Sequence, residues 1–386
     1  MALELRVLET WEGSEDLEPR WEGLVQRNCT NSVFLSHAWL RTWWRHFGGQ
    51  RRLLILLMED DGQLVGAAPL MVESCRLMGT RATRVRFAAD TQAYRTDLLA
   101  LPERRDAVMA ATADYLVRMG SQWDLIDLKR VISDSPNLVS LERALRARGV
   151  RSGRIKSVTS PYVTLRSTWE EQKKQLSGNM RYNLSRKLKH LERETTAKFI
   201  SLNGPSDDGL LDRCLAIAGK SWQGHLGEYS TIASSPRMRA FYEDLWQVAG
   251  DRGWRAGGLL EINGAPAAFA YCLNYHERVQ FLKTGYDPGY GDYSPGMLLV
   301  QFLMREACET GNEEFDFYGS DVPWKLHWTH LSRGHVRWLA YNRRVRPLAA
   351  YAIRFRIARQ MMRIPGLRQL RKALAHKPSR PGAAGS

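Results

Sequence analysis

Residues 51–72 read RRLLILLMEDDGQLVGAAPLMV, and residues 255–275 read RAGGLLEINGAPAAFAYCLNY. Each is an apolar run, a two-residue turn and a second apolar run. Asp61-Gly62 and Asn263-Gly264 are dipeptides that a tight hairpin prefers, because its central residues take positive φ. Aligned on these turns, Gly62 faces Gly264 and Ala68 faces Ala270. The order continues alike on both sides. The first hairpin is followed by a helical stretch, PERRDAVMAATADYLVRMG (102–120), and a strand, WDLIDLKRV (123–131). The second is followed by a strand, RVQFLKTGY (278–286), a helix, SPGMLLVQFLMREACETG (294–311), and a strand, EEFDFYGS (313–320). Both closing strands hold an Asp, Asp127 or Asp316, among apolar residues. This predicts one α/β unit used twice.

The remaining segments fit around the two units. SHAWLRTWWRHFGG (36–49) reads as a helix capped by Ser36, with Trp39, Trp43 and Trp44 on or near one face. Between the units lies STWEEQKKQLSGNMRYNLSRKLKHLERET (167–195). Ser167 with Glu170, and Thr168 with Glu171, each fit a capping box. Leu176, Met180, Leu184, Leu188 and Leu191 recur at helical spacing, and Arg181, Arg186, Lys187, Lys189 and Arg193 make the rest basic. Residues 343–377 read as helical with a break at Pro365-Gly366, and HKPSRPGAAGS at the end reads as disordered.

Charge is distributed unevenly along the 386 residues. Residues 322–386 carry 15 Lys and Arg and no acidic residue, which leaves 41 of the 56 basic residues against 41 acidic ones before them. The net charge of +15 therefore resides in the C-terminal segment. Such a one-sided tail points to an anionic partner: a membrane surface, nucleic acid or a phosphorylated ligand. The five cysteines, at 29, 75, 214, 272 and 308, have no metal-like spacing and suit a reducing compartment. No basic and apolar leader pattern follows Met1, and no apolar run reaches the ~18 residues of a spanning helix. A G-x-S-x-G elbow and a P-loop are both missing, which argues against an α/β-hydrolase and a nucleotide-triphosphate site.

The two units differ where the strand hands over to the helix. LLALPERRDAV (98–108) has no glycine and places Glu103 and Asp106 near the helix start. Those carboxylates already use the helix dipole and would repel a phosphate. In GYDPGYGDYSPGML (285–298), Ser294 is expected as N-cap, Pro295 as first helical residue, and Gly296 as a bare second position. An anion would reach the free N–H groups there. A pyrophosphate of coenzyme A fits such a site, so the second unit is the expected working one.

FLSHAWLRTWWRHFGG, SGNMRYNLSRKLKHLE, KSWQG, YSPGMLL and FDFYGSDVPWKLHW, in this order, make residues 20–340 resemble the CelD-like branch of the GNAT acyltransferases. That branch is similar to the FemABX fold of two tandem GNAT domains, and bacterial ceramide synthases look like a related branch. The segment GDYSPGM stands in the place of the usual Q/R-x-x-G-x-G/A loop. The resemblance implies fold class α/β (α+β), with mixed sheets flanked by helices. The expected division is 1–165, an N-terminal GNAT-like domain; 166–200, a basic connecting helix; 201–342, a C-terminal GNAT domain with the acyl-CoA site; and 343–386, a basic helical tail.

Acyl transfer to an amine needs a polarised thioester carbonyl, an acceptor for the amine proton and a proton for the leaving thiolate. Alternation in EFDFYGSD puts Asp316 and Tyr318 on one side, so Tyr318 is expected to protonate the thiolate and Asp316 to take the amine proton. His327 is an alternative base. Ser294, Pro295, Gly296, Met297, Phe269 and Tyr271 are the expected acyl-CoA contacts, with strand 267–274 along the acyl-CoA arm. Asp321 and Lys325 are expected at the substrate, and the resemblance adds Trp222 and Gly224. The expected activity is acyl-CoA-dependent N-acylation of a small-molecule or lipid amine, sphingoid-base-like, or of an envelope-saccharide precursor. No metal is expected. The expected place is the cytoplasmic membrane face, held by 343–377 on anionic lipid. The alternatives are a FemABX-like transferase using aminoacyl-tRNA and a non-catalytic component of an envelope polysaccharide complex.

Overall fold

A computed structural model describes residues 3–89, 91–203, 209–220, 232 and 234–357. Both hairpin turns form as the dipeptides require, with φ of 49° and 76° at Asp61 and Gly62, and 53° and 78° at Asn263 and Gly264. The first half of the chain runs β1 (Glu4–Leu8), α1 (Leu17–Arg27), α2 (His37–Phe47), β2 (Arg52–Asp60), β3 (Gln63–Leu77) and β4 (Thr80–Phe87). It continues through β5 (Leu99–Ala100), α3 (Arg105–Arg118), β6 (Leu125–Ile132), α4 (Pro136–Ala147) and β7 (Arg151–Thr164). The second half runs α5 (Trp169–Gln175), α6 (Gly178–Glu194), β8 (Ala197–Ser201), α7 (Leu210–Lys220), α8 (Pro236–Asp251), β9 (Arg255–Ile262) and β10 (Ala265–Asn274). It closes with β11 (Arg278–Tyr286), α9 (Pro295–Glu309), β12 (Glu314–Asp316), α10 (Pro323–Leu326), β13 (Ser332–Tyr341) and α11 (Val345–Tyr351).

The duplication is visible in the pairing. In each half a strand before the hairpin pairs antiparallel with its first arm, β1 with β2 and β8 with β9. In each half a helix then carries the chain across to a parallel neighbour, α3 from β4 to β6 and α9 from β11 to β12. The last strands are exchanged. β13, which sequence order assigns to the second domain, lies between β6 and β7. The end of β7 in turn pairs with β12 through Tyr162, Val163 and Thr164. One sheet results, in the order β1-β2-β3-β4-β6-β13-β7-β12-β11-β10-β9-β8, with β5 beside β3.

The segment expected to connect the domains is two helices. Thr168 caps α5 through Glu171 N, and Ser177 caps α6 through Met180 N. Leu176, Met180, Leu184 and Leu191 pack with α9 and one face of β9–β11, so this segment is part of the second half's core. The other face of that sheet meets α7, α8 and the first half. Trp39 of α2 packs edge-on against Phe241 of α8, with ring centres 5.6 Å apart. Ser36 caps α2 as expected, and Trp39 and Trp43 are buried. The basic tail is described only to Ile357, through α11 and one further turn. Pro365-Gly366 and the terminal segment lie outside the described residues. No helix among the described residues is long and apolar enough to cross a membrane.

Gly66 of β3 lies directly under Val108 of α3, where an added Cβ would overlap the valine methyls. We expect Gly66→Ala to lower the unfolding free energy by about 1–3 kcal/mol in urea titration, because overpacking forces side chains off their rotamers. Adding Val108→Ala should return part of that loss. No loss in the single variant would show that the helix does not sit this closely on the strand.

Candidate active site

The site begins where two parallel strands part. β11 and β12 pair only from Arg278 to Gln280 against Glu314 to Asp316. Beyond Gln280, β11 continues alone on that edge to Tyr286. Two cavities fill the opening. The first, of about 480 Å³, is lined by Thr284–Tyr286, Gly291, Ser294–Met297 and Val300, and by Trp324 and Trp328 opposite. The second, of about 340 Å³, is lined by Tyr94, Phe281–Thr284, Phe317–Ser320, Val322, Trp324 and Lys325. Thr284 and Trp324 belong to both walls, so the cavities abut.

The first cavity contains the start of α9. Pro295 is its first residue and has no N–H to satisfy. The Gly296 N–H has no acceptor among the described residues, and the first turn holds no acidic side chain. Ser294 is the N-cap, as expected, but its geometry is unusual. It takes left-handed dihedrals (φ 54°, ψ 53°), and its side chain makes no cap hydrogen bond. Its carbonyl still accepts from Met297 N and Leu298 N, at 3.0 and 3.2 Å. A Cβ on Gly296 would meet only Tyr286 Cδ1 at 3.8 Å, so packing does not demand glycine there. α6 braces the preceding loop. Lys187 Nζ donates to the Asp292 carbonyl at 2.5 Å, and His190 lies against Tyr293 with ring centres 5.2 Å apart. Asp287 is turned away: it caps Gly289 N at 3.0 Å and meets Lys220 at 3.3 Å. The matching helix start in the first half carries two carboxylates and no side-chain cap: Glu103 pairs with Arg27, and Asp106 accepts from Ser140.

The second cavity centres on Tyr318. Its φ of 44° is rare for an aromatic residue, and the neighbours fix it. Asp316 Oδ1 accepts from Tyr318 N at 3.0 Å, and Lys325 Nζ donates to the Tyr318 carbonyl at 2.5 Å. The phenol donates to Gln280 Oε1 at 2.9 Å. The ring stacks on Tyr94 and meets Phe34 edge-on, with centres 5.9 and 5.0 Å away. Burial pushes this phenol well above its usual pKa.

Asp316 does not line either cavity. It is 1% exposed, and its Oδ2 accepts from Arg95 and, at 3.3 Å, from Arg333. Arg333 also grips Glu314 with both terminal nitrogens, and Arg95 sits 4.9 Å from the Tyr318 ring centre. With three donors on its oxygens, Asp316 positions Tyr318 instead of receiving a substrate proton.

Lys325, expected at the substrate, lines the second cavity. It is 9% exposed, and burial lowers its pKa to about 8, while Asp316 and Asp321 favour the charged form. Ser294, Pro295, Gly296 and Met297 line the first cavity together. Phe269 and Tyr271 do not reach either. β10 is paired on both edges, and the two rings are buried in the core shared with α8, where Tyr271 Oη meets the Tyr242 carbonyl at 3.2 Å. The opening lies one strand further along, between β11 and β12, so strand 267–274 has no free edge for a ligand. His327 and Asp321 are exposed and line neither cavity. Trp222 and Gly224 lie outside the described residues. Sequence reasoning missed Tyr94, Arg95, Gln280, Lys283, Trp328 and Arg333. Trp324 and Trp328 stood in view, four residues apart in FDFYGSDVPWKLHW, but Tyr94 and Arg95 come from a stretch without periodicity.

Residues 178–326 match the family model of the acetyltransferase (GNAT) domain. This part of the chain is a GNAT acyltransferase domain. No curated protein matches the chain. Among solved structures, FemX superposes with a TM-score of 0.58 at 12% identity, covering 88% of this chain and 97% of FemX. A conserved protein of unknown function from Bacteroides thetaiotaomicron gives 0.53 at 12%, covering 88% and 100%. The C-terminal domain of a putative lysylphosphatidylglycerol synthetase from Agrobacterium fabrum gives 0.52 at 13%, covering 88% and 95%. These likenesses span both halves, and the fold is of the FemABX-like, tandem GNAT kind. The domain at residues 178–326 is of the acyltransferase class.

The buried Lys325 gives a pH test of this geometry. An unfolded lysine keeps its proton up to about pH 10.5, whereas the folded one releases it near 8. Between these values the unfolded state binds more protons, so stability rises with pH. We expect wild type to gain on the order of 3 kcal/mol over Lys325→Met from pH 8 to 10.5, read by urea unfolding. A constant difference across that window would place Lys325 in solvent.

Proposed function

We propose that the protein transfers an acyl group from acyl-CoA to an amine. The observation that carries this reading is the start of α9, with the Gly296 N–H and no acidic side chain in its first turn, at the parting of β11 and β12, one wall away from Tyr318. The pyrophosphate takes the Gly296 N–H and the positive end of the α9 dipole. The pantetheine arm runs along the unpaired edge of β11, and the thioester reaches the partition formed by Thr284 and Trp324. The amine nitrogen attacks the thioester carbon from the second cavity, and the C–S bond breaks. Tyr318 gives its phenolic proton to the departing sulfur and takes the proton that the new amide nitrogen sheds. Gln280, Asp316 and Lys325 hold Tyr318 in place for that relay.

Calorimetric titration with CoA tests the donor site. Wild type is expected to bind, and Gly296→Glu, whose Cβ meets no clash, to weaken binding by at least about tenfold, equivalent to ~1.4 kcal/mol. Equal affinity in the variant would remove the phosphate from this helix. Failure of CoA to bind, together with binding of aminoacyl-tRNA at low salt, would favour a tRNA-borne donor.

The acceptor is proposed to be a lipid amine, sphingoid-base-like, or an envelope-saccharide precursor at the cytoplasmic membrane face. Support comes from the start of the tail. Val345, Ile353 and Ile357 are exposed there beside exposed Arg343, Arg354 and Arg356, while Phe355 packs over Gly153. Each basic residue near an anionic surface contributes about 1 kcal/mol. Full-length protein should sediment with phosphatidylglycerol-rich vesicles and not with phosphatidylcholine vesicles. Changing Arg343, Arg354 and Arg356 to Glu together should release it. Unchanged sedimentation would take this segment out of membrane binding.

A further inference from the structure

Lys325 projects from α10, a single turn that follows the Tyr318 loop. Its Nζ lies at 2.5 Å from the Tyr318 carbonyl and 5.6 Å from the ring centre of Trp324. That indole is a wall of both cavities. Lys325 lines the acceptor cavity, and its amine lies beside the Trp324 indole of the partition at which the donor's thioester is placed above. Phe281, Phe317 and Trp324 around it are apolar, with room for about 340 Å³ of ligand.

We propose that Lys325 is itself an acyl acceptor: with donor bound and no external amine, its Nζ takes the acyl group as a stable amide. This rests on the acyl-CoA reading of the first cavity. The Nζ lone pair attacks the thioester carbon, and the C–S bond breaks. The proton lost from Nζ goes to the sulfur, and CoA leaves as the thiol. Nothing is oxidised or reduced. The amide keeps one N–H, enough to retain the bond to the Tyr318 carbonyl.

Reactivity follows from the surroundings. Burial lowers the pKa of this amine to about 8, against the pull of Asp316 and Asp321. Asp316 is already neutralised by Arg95 and Arg333, and Asp321 is exposed. Lys283 of β11 faces the same cavity, where its Nζ lies 5.9 Å from the Tyr94 and Tyr242 ring centres. The Tyr318 phenol, kept protonated by burial, adds no charge. Roughly a tenth of Lys325 is neutral at pH 7, against less than about a thousandth of an ordinary lysine. An acyl group on Lys325 fills the acceptor cavity. Self-acylation is thus a brake that engages when donor is plentiful and acceptor scarce.

The test uses full-length protein, acetyl-CoA and palmitoyl-CoA, intact mass and peptide mapping. We expect one acyl group per chain on the peptide holding Lys325, resistant to neutral hydroxylamine. Its rate should rise between pH 7 and 9 and then level off. Lys325→Arg, checked for fold by circular dichroism and for CoA binding by calorimetry, should lack this adduct. An adduct lost to hydroxylamine, which marks a thioester or ester, would overturn the proposal. So would label spread over surface lysines with a rate still climbing past pH 10. CoA binding without any Lys325 adduct would overturn the proposal and leave the donor site standing, whereas absence of CoA binding would remove both.

Discussion

A buried knot of charge holds the site together. Asp316 comes from β12 in the second half, Arg95 from the first half, and Arg333 from the exchanged strand β13. Glu314 balances the second guanidinium. Two carboxylates and two guanidiniums cancel, which is the condition for keeping charge in a low-dielectric interior. The same Asp316 fixes Tyr318 N, and Arg95 lies over the Tyr318 ring. The conformation of the candidate proton relay therefore depends on contacts that neither half makes alone.

The two GNAT-like units are alike in topology and different in use. Both build a parallel strand pair joined across a helix. In the first, the helix start carries the carboxylates Glu103 and Asp106, paired with Arg27 and Ser140, and α3 presses onto Gly66. In the second, the helix start opens into a cavity. The first half contributes to the second half's site directly, through Tyr94 and Arg95, and through the core it shares with α7 and α8.

Much of this was legible in the sequence because it is local. Asp61-Gly62 and Asn263-Gly264 demand positive φ, Ser36 and Thr168 cap their helices, and the apolar period of 176–191 fixes a packed face. What failed to show was non-local, or broke a local rule. Nothing in the sequence of β13 announces that it will leave the second half for a place between β6 and β7. The alternation that puts Asp316 and Tyr318 on one side holds only while the strand lasts, and β12 ends at Asp316. The left-handed turn at Tyr318 then sends the ring to the cavity and leaves the carboxylate behind it. Ser294 caps α9 as read, but in a left-handed conformation and without a side-chain cap bond. Phe269 and Tyr271 were placed one strand away from the opening, because alignment of the hairpins does not say which strand pair will part.

The exchange of β7 and β13 also governs how the chain is made. During synthesis the first half emerges with a vacancy in its sheet between β6 and β7, which residues 332–341 fill only after the second half has been made. Until then two strand edges stand open, and open edges invite pairing with other chains. The native sheet is thus completed late, by contacts of large sequence separation, which slow folding.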